Sequence, residues 1–498
     1  MYSIDPPEGV KTILRVLEND GFRAYTVGGC IRDSVMGRKP KDWDIATNAH
    51  PDDVRRLFGK TVDTGIAHGT VSVILDGISY EVTTFRIDGR YKDGRHPETV
   101  VFTTNIEDDL RRRDFTINAM AWNPSEGIID PFGGISDIAC RTIRTVDDPK
   151  ERFREDALRM LRAVRFASVL GFEIEERTYT GIRENSSLIS RISAERIREE
   201  LNGILVSDDP GKFIILKDTG LLRLIIPELD ACFGGDNGLD LAEHCLMSVS
   251  AVEADPCLRW TMLLHGLYGC PGGKTDGTAE NAPDILDRGY VEEIVEEAGL
   301  ILSRLKFDNK SKNKILRLIR HLWIRPGTDR RSVARAVIEV GGDLFADLLK
   351  AKKAHITAEL IAAGNHGTGR TLRPDTANDN TIWDSVVQNR TGEDAFCGCE
   401  STKNELCELE MTEKAFASML NGRYCLGLKD LALNGNDLKR LGFREGSIIG
   451  RTLEFLLDRV IDEPDLNNKE ALEKIALGFL KKNEGEMAQD ACSFGQRC

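Results

Sequence analysis

The stretch from Gly28 to Asp44 constrains this chain more than any other. A glycine pair, Gly28-Gly29, follows directly on the apolar run Ala24 to Val27, and Lys41-Asp42-Trp43-Asp44 completes the stretch within seventeen residues. An apolar run that ends in glycine predicts a strand over 24–27 and then a helix starting near Ile31. Its backbone N–H groups are bare enough to approach an anion, and the helix N-terminus adds partial positive charge. Asp42 and Asp44 stand two apart, so on extended backbone both carboxylates face one side while Trp43 and Ile45 face the other. Two like charges held that close call for a cation between them, and hard divalent ions such as magnesium take carboxylates while keeping positions open for phosphates. Singly, a glycine pair is most often a turn and an Asp-x-Asp a solvated loop or helix cap. Together, with Arg32 and Asp33 between them, they predict a nucleotide-handling site.

Length and composition bound the rest. At 498 residues the chain predicts two to four domains, and 41% hydrophobic with 30% charged residues is a soluble, globular composition. No run of eighteen apolar residues occurs, and Met1-Tyr-Ser-Ile-Asp-Pro-Pro-Glu lacks the pattern of a secretion signal, which predicts a cytoplasmic protein with no membrane partner. Twelve scattered cysteines suggest reduced thiols, and the cluster Cys397, Cys399, Cys407 lacks the fourth ligand and the spacing of a zinc site. A net charge of −14 argues against an all-over nucleic-acid coat. One local basic run remains, Asn309 to Arg335, with nine Lys or Arg against Asp329 alone. It suits a phosphate-backbone surface and a solvated helix face equally well.

Local patterns predict elements around the site. Val10, Ile13, Leu14 and Leu17 recur at helical spacing before Gly21, and Pro51 to Phe58 is a short helix capped by Asn48 or His50. Asp76-Gly77 between two β-rich runs predicts a hairpin over Thr70 to Phe85. Glu81 on its returning strand is either a third carboxylate facing Asp42 and Asp44 or a surface residue, with the former preferred. Arg86 to Phe102 is predicted as a mobile loop, and Glu107 to Met120 as a helix begun at Asn105. Its Arg111-Arg112-Arg113 cannot all serve one acid, leaving at least one for a phosphate. A strand over Ile128 to Asp130 and the turn Pro131-Phe132-Gly133-Gly134 close a first domain near residue 145, and helices follow from Glu151 onward.

A second chemical cluster lies on a predicted helix from Phe153 to Val169. Asp156, Arg159 and Arg162 recur three apart along one face, with Leu158, Leu161 and Val164 on an apolar side. Such a row is either a surface ion pair or an acceptor with forked donors able to read a base edge.

Five motifs stand in order: Gly28-Gly29-x-x-Arg32-Asp33, Asp42-x-Asp44, Arg112-Arg113-Asp114-Phe115-Thr116-x-Asn118-Ala119, Asp130-Pro-Phe-Gly-Gly, and Glu155-Asp156-x-x-Arg159-x-x-Arg162-Ala-x-Arg165-Phe166. In this order and spacing they resemble the class II tRNA nucleotidyltransferases, the CCA-adding enzymes, with bacterial poly(A) polymerases as close relatives. The match is dense over residues 20 to 205 and thinner beyond, where Leu433-Asn-Gly-Asn-Asp-Leu and Ile449-Gly450 are similar to the family's tail. The resemblance implies an α+β fold: a small mixed β-sheet nucleotidyltransferase head (1–145), then an all-helical neck (146–205), body (206–350) and tail (351–498). It implies tRNA as partner, CTP and ATP as substrates, and two Mg2+ ions on Asp42 and Asp44. Gly29 and Arg32 would contact nucleotide phosphates and Arg113 would add a further contact. Asp156 and Arg159, helped by Arg162 and Arg165, would select the base, so that side chains replace a template.

Family members that add only CC lack a flexible loop between the Asp pair and the Arg-Arg-Asp motif. Arg86 to Pro97 supplies such a stretch here, so full CCA addition is preferred over CC- or A-only addition or poly(A) synthesis. Some relatives carry a metal-dependent phosphohydrolase with a His-Asp pair. Here Gly266 follows His265 where that aspartate would be, so no such metal site is expected: the region is read as a helical body that has lost or never had that activity, with His265 a core or polar-network histidine rather than a ligand. Residues 364 to 410 are expected to be an irregular insertion.

Overall fold

The computed structural model describes residues 2–89, 99–233, 241–267, 288–365, 399–421 and 424–480. Helix α1 (Glu8–Asn19) fully buries Val10, Ile13 and Leu17 and nearly so Leu14, each burial contributing about 1.5–3 kcal/mol. It lies against a seven-stranded sheet built from β1 (Ala24–Val27), β2 (Asp44–Thr47), β3 (Thr61–Gly65), β4 (Thr70–Leu75), β5 (Ile78–Thr84), β8 (Ala121–Asn123) and β9 (Gly127–Ile129). The strand order is β3-β4-β5-β2-β1-β8-β9. Only β2 and β5 run parallel; every other pair is antiparallel, so the sheet is mixed as predicted. The β4–β5 hairpin turns at Asp76 and Gly77, both at positive φ, as the Asp-Gly pair requires.

Helix α2 (Gly29–Val35) follows β1 at once, two residues earlier than predicted, and α3 (Pro51–Leu57) starts after His50. Three other segments differ from expectation. The ends of the predicted 86–102 loop pair as an antiparallel ribbon, β6 (Arg86–Asp88) with β7 (Val100–Phe102); residues 90–98 lie outside the described residues. The ribbon is anchored because Arg86 bonds Asp88 at 3.0 Å and Phe102 packs edge-on to His50.

The predicted 107–120 helix is only α4 (Ile106–Arg111), capped by Asn105 as expected. It stops because Asp114 turns its carboxylate onto the Phe115 N–H and its carbonyl onto Val146 N–H. Phe115, fully buried, bridges to Thr145. A tertiary partner, invisible to periodicity, outbids the local helix.

The predicted 153–169 helix is two, α6 (Pro149–Glu155) and α7 (Leu158–Leu170). Asp156 sits between them in extended backbone (φ −140°) and its carboxylate accepts from Leu158 N–H at 3.0 Å. A side chain that satisfies an orphan amide of the next helix ends the previous one. α5 (Gly134–Ala139) begins where the Asp130 carboxylate accepts from Gly134 and Ile135 N–H, which is what the Asp-Pro-Phe-Gly-Gly motif does structurally.

Beyond residue 150 the described residues are mostly helical; the strand β11 (Glu173–Ile174) pairs in parallel with β10 (Thr142–Ile143) just before them. The helices after α7 and up to residue 365 are α8 (Glu176–Asn185), α9 (Ala194–Leu205), α10 (Ile214–Asp218), α11 (Leu221–Ile225), α12 (Pro227–Asp230), α13 (Leu241–Ala251), α14 (Pro256–Leu264), α15 (Arg288–Arg304), α16 (Asn309–His321), α17 (Arg330–Val340) and α18 (Gly342–Asn365). One continuous apolar core runs from Phe115 through α7, α9 and α14 to α18, which ties the last part of the head to the helices. The chain is thus a mixed-sheet head followed by helices, α+β as expected. The predicted 364–410 insertion is helical at both ends, in α18 and in the helix Cys399–Asn421; residues 366–398, with Cys397, lie outside the described residues. No helix among the described residues is long and apolar enough to cross a membrane.

Candidate nucleotide and metal site

β1 leaves the sheet at Val27, which is paired with Asp44 at the start of β2. The glycine turn and the second aspartate of the pair are therefore side by side. Gly28 holds φ +84°, ψ −132°, a conformation close to one reserved for glycine, and donates its N–H to Met120 carbonyl at 3.0 Å. A Cβ there would come 2.8 Å from the Arg113 Nη1. Glycine is needed at 28 for its positive φ, and a side chain there would also push the Arg113 terminus aside; at Gly29 a Cβ would meet Arg32 at an ordinary 3.6 Å.

Two clefts open on this region. The first, about 210 Å³, is lined by Asp44, Glu81, Thr83, Arg86, Arg112 and Arg113, among others. Ile45 pairs in register with Val82, so Asp44 and Glu81 are the residues just before that pair on neighbouring strands. Glu81, expected as a third carboxylate facing Asp42 and Asp44 or else as a surface residue, is exposed and shares the cleft wall with Asp44. Asp44 is accessible at the cleft mouth, yet lost hydration raises its carboxyl above the usual range; Arg113 opposes this and the like charge of Asp42 adds to it. Asp42 lies just ahead of β2, exposed and outside the cleft wall, while Trp43 and Ile45 turn toward the core as the alternation requires.

The second cleft, about 260 Å³, is lined by Arg112, Arg113, Asp114, Asp156, Leu158, Arg159, Arg162 and Arg196. Arg112 and Arg113 belong to both walls. Both are set by Asp109, fully buried one turn back: it bonds Arg112 at 2.8 Å and Arg113 at 3.4 Å. Burial would raise the Asp109 carboxyl, and the two guanidinium groups outweigh it, leaving it below its usual value. The Arg113 Nε is buried without a hydrogen-bond partner among the described residues. Arg111 turns elsewhere, to Asp147 and over the Phe132 ring. Of the three consecutive arginines, two therefore face the clefts.

On the helical side, Asp156 accepts from Arg196 Nη2 at 2.9 Å. Asp156 and Arg159 share the cleft, although Asp156 is not on the helix that carries Arg159. Arg159, 8% exposed, is itself held by Glu155 at 2.6 Å and by the carbonyls of Arg152 and Arg112. Arg162 donates from Nε to Asp114 at 2.8 Å. Burial alone would raise Asp114, yet Arg162 carries it down to about 2.

Arg165 departs from expectation: it does not line the cleft. Glu200 takes its Nε at 2.6 Å, and its guanidinium lies 4.4 Å from the Phe166 ring centre. Arg32 and Arg162 approach the same ring, at 5.4 and 5.3 Å, and Arg32 is fixed by Asp33 and by Asn118 at 2.8 Å. The head arginine Arg32 thus meets the helix α7 at Phe166.

Sequence reasoning missed Asp109, Asp114, Arg112 and Arg196 as site residues. The Arg-Arg-Asp triplet was a signal for the middle two; Asp109 needed its burial and Arg196 needed the packing of α9 against α7. The basic run fares differently. Arg320 pairs with Glu292, Lys314 with Asp347, Arg325 with Glu405, and Arg331 and Arg335 with Asp462. Much of its charge is answered within the chain, which favours the solvated-face reading over a phosphate surface.

Comparison with known proteins covers both sides of the site. Residues 24–144 match the family model described as "Poly A polymerase head domain", and residues 171–233 match "Probable RNA and SrmB-binding site of polymerase A". A CCA-adding enzyme of Pediococcus pentosaceus is 39% identical over 313 residues, 62% of this chain and 75% of that protein. One of Geobacillus stearothermophilus is 42% identical over 294 residues, 59% of this chain and 69% of that protein. Among solved structures, the Bacillus stearothermophilus CCA-adding enzyme in complex with CTP superposes with a TM-score of 0.65 at 28% identity, covering 97% of this chain and 100% of that one. The Thermotoga maritima CCA-adding enzyme complexed with tRNA shares the fold, with a TM-score of 0.54 at 21% identity, covering 96% and 97%. With a glycine turn beside a carboxylate cleft, two arginines shared with a second cleft, and these likenesses across head and helices, the chain belongs to the CCA-adding enzymes, the tRNA nucleotidyltransferases.

Proposed function

We propose that this chain adds C, C and A to the 3′ end of tRNA from CTP and ATP, without a template. The observation that carries the reading is that Arg112 and Arg113 wall both clefts, so one nucleotide can span them, with its triphosphate on the side of the Asp44 and Glu81 cleft and its base at Asp156. Its phosphates would lie by Gly29, Arg32 and Arg113.

The donor set suits magnesium: Asp42 and Asp44 are hard oxygen ligands, and Asp44 is raised by lost hydration and by Asp42, a strain that a cation relieves. When bound at these two residues, magnesium neutralises charge on the triphosphate and activates the hydroxyl. The tRNA 3′ oxygen attacks the α-phosphorus, a new O–P bond forms, the bond to the β-phosphate oxygen breaks, and pyrophosphate leaves. Glu81 is the carboxylate available to accept the hydroxyl proton. The chain's own contribution is positioning and charge, with no covalent intermediate.

Base selection would fall to Asp156 as acceptor and to Arg159, Arg162 and Arg196 as donors, at ~1–3 kcal/mol per well-made pair. Division of labour would follow residues 1–145 for transfer, 146–205 for base choice and 351–498 for gripping tRNA, with 206–350 as the helical body between them. Purified protein given tRNA lacking its terminus, magnesium, and CTP or ATP singly and together tests this. Ordered C, C, A addition is expected. No product under any condition overturns the enzyme reading, and long poly(A) from ATP alone favours the relative whose head domain also matches.

A further inference from the structure

Three histidines from distant parts of the chain meet inside the helical body: His244 on α13, His265 at the end of α14 and His355 on α18. One ring nitrogen of each lies within 4.8 Å of the others. The His355 Nδ1 is 3.0 Å from His244 Nε2 and 3.1 Å from His265 Nε2. His244 is 3% exposed and His265 fully buried, so His265 lies in the core, and a ligand role for it goes against the sequence expectation.

Proton bookkeeping decides what this meeting is. The His265 Nδ1 faces the Met262 carbonyl at 2.7 Å, and a carbonyl only accepts, so Nδ1 carries the proton and Nε2 presents a lone pair. The His355 Nε2 faces the Glu359 carboxylate at 3.3 Å, so it too donates outward. A neutral His355 then points the lone pair of Nδ1 at the lone pair of His265 Nε2. Two facing lone pairs repel, and two remedies exist: an extra proton on His355 or a cation at the centre.

We propose that His244 Nε2, His265 Nε2 and His355 Nδ1 bind one divalent transition-metal ion of the zinc class. Imidazole nitrogens suit that class. A tetrahedral zinc with bonds of about 2.0–2.1 Å sets its ligand nitrogens about 3.3 Å apart, near the spacings found. The outward partners are those that metal-bound histidines use: a carbonyl for one ring and a carboxylate for another, each fixing tautomer and ring orientation. The polar accounting around the cluster is also incomplete without a further atom. Trp323, whose ring centre is 5.0 Å from that of His355, has a buried Nε1 with no hydrogen-bond partner among the described residues. Water at the fourth position completes the ion. The ion staples α13, α14 and α18, far along the chain from the carboxylate cleft, and its role is structural.

The full chain, purified without a histidine tag or chelator, is analysed for metals by mass spectrometry. After stripping, it is titrated with Co2+ and separately with Zn2+. One zinc per chain, the visible absorption of tetrahedral Co2+ saturating at one equivalent, and a rise in Tm on adding Zn2+ are expected. X-ray absorption of the wild-type zinc form should resolve three imidazole ligands, a result that needs no variant to fold. His355→Gln should lose the Co2+ absorption, whereas Asp42→Ala should keep it, which separates this ion from magnesium in the head. Absence of both the Co2+ absorption and the Zn2+ shift in the wild-type chain would overturn the site, as would an unchanged spectrum in folded His355→Gln.

Discussion

Arg162 and Asp114 are joined by a 2.8 Å hydrogen bond across 48 residues of chain, linking the Arg-Arg-Asp segment to helix α7. The bond fixes the wall between the two clefts. Asp114→Asn leaves Arg162, whose side chain is about one third exposed, with Glu200 and Asp156 as its remaining counter-charges, and a loss of about 2 kcal/mol is expected from replacing the charged acceptor. Denaturant unfolding of the two proteins checks this.

The same pair sets an acid limit. The folded pKa of Asp114, about 2, lies below its ordinary 3.8, so the pair's contribution is fully present above that ordinary value and is lost as pH falls from there through about 2. The shift corresponds to about 2 kcal/mol. The stability gap between wild type and Asp114→Asn should shrink steadily over that window when unfolding is followed by denaturant titration. A gap unchanged on acidification would mean that Asp114 is not ionised through Arg162.

Asp44→Ala and Asp42→Ala should each lower nucleotidyl transfer by ~10³-fold or more, since a lost metal ligand removes stabilisation of developing charge. tRNA binding in a filter assay should persist. Joint loss of both functions would show that the pair belongs to the fold and not to the transfer step.

Selectivity should respond at the other cleft. Asp156→Ala also frees Arg196, its 2.9 Å partner, so the ratio of CTP to ATP incorporation should fall by ~10-fold while the rate with the preferred nucleotide changes less. Arg165→Ala, acting on a residue held by Glu200 outside the cleft, should leave that ratio unchanged. Competition between labelled CTP and ATP reads both.

Gly28→Ala places a side chain at φ +84° and 2.8 Å from Arg113. A stability cost of about 1–3 kcal/mol is expected from the backbone alone. A rise in KM for both nucleotides should accompany it, because Arg113 must shift, and steady-state kinetics at saturating tRNA would detect it.

Several elements were legible from local chemistry alone. The strand, glycine and helix turn at residues 24–35, the Asp-Gly hairpin and the Asn105 cap each depend on interactions within a few residues, which spacing encodes. The five ordered motifs also carried the family. The helix boundary at Arg111 was not legible, because Asp114 and Phe115 exchange local helical bonds for distant partners, Val146 and Thr145; the break at Glu155 is local, made by the Asp156 carboxylate on the Leu158 amide, and the helical spacing on either side concealed it.

Residue type and order in the chain thus settled which groups could do chemistry; packing settled which of them meet. Asp44 and Glu81 became neighbours through a parallel strand pairing, Asp156 and Arg196, forty residues apart, through the packing of α9 against α7, and Arg165 was withdrawn to Glu200. Three histidines separated by up to 111 residues converge for the same reason. Side-chain meetings of this kind are decided by the burial of apolar faces elsewhere on the helices, a long-range balance that no local spacing records.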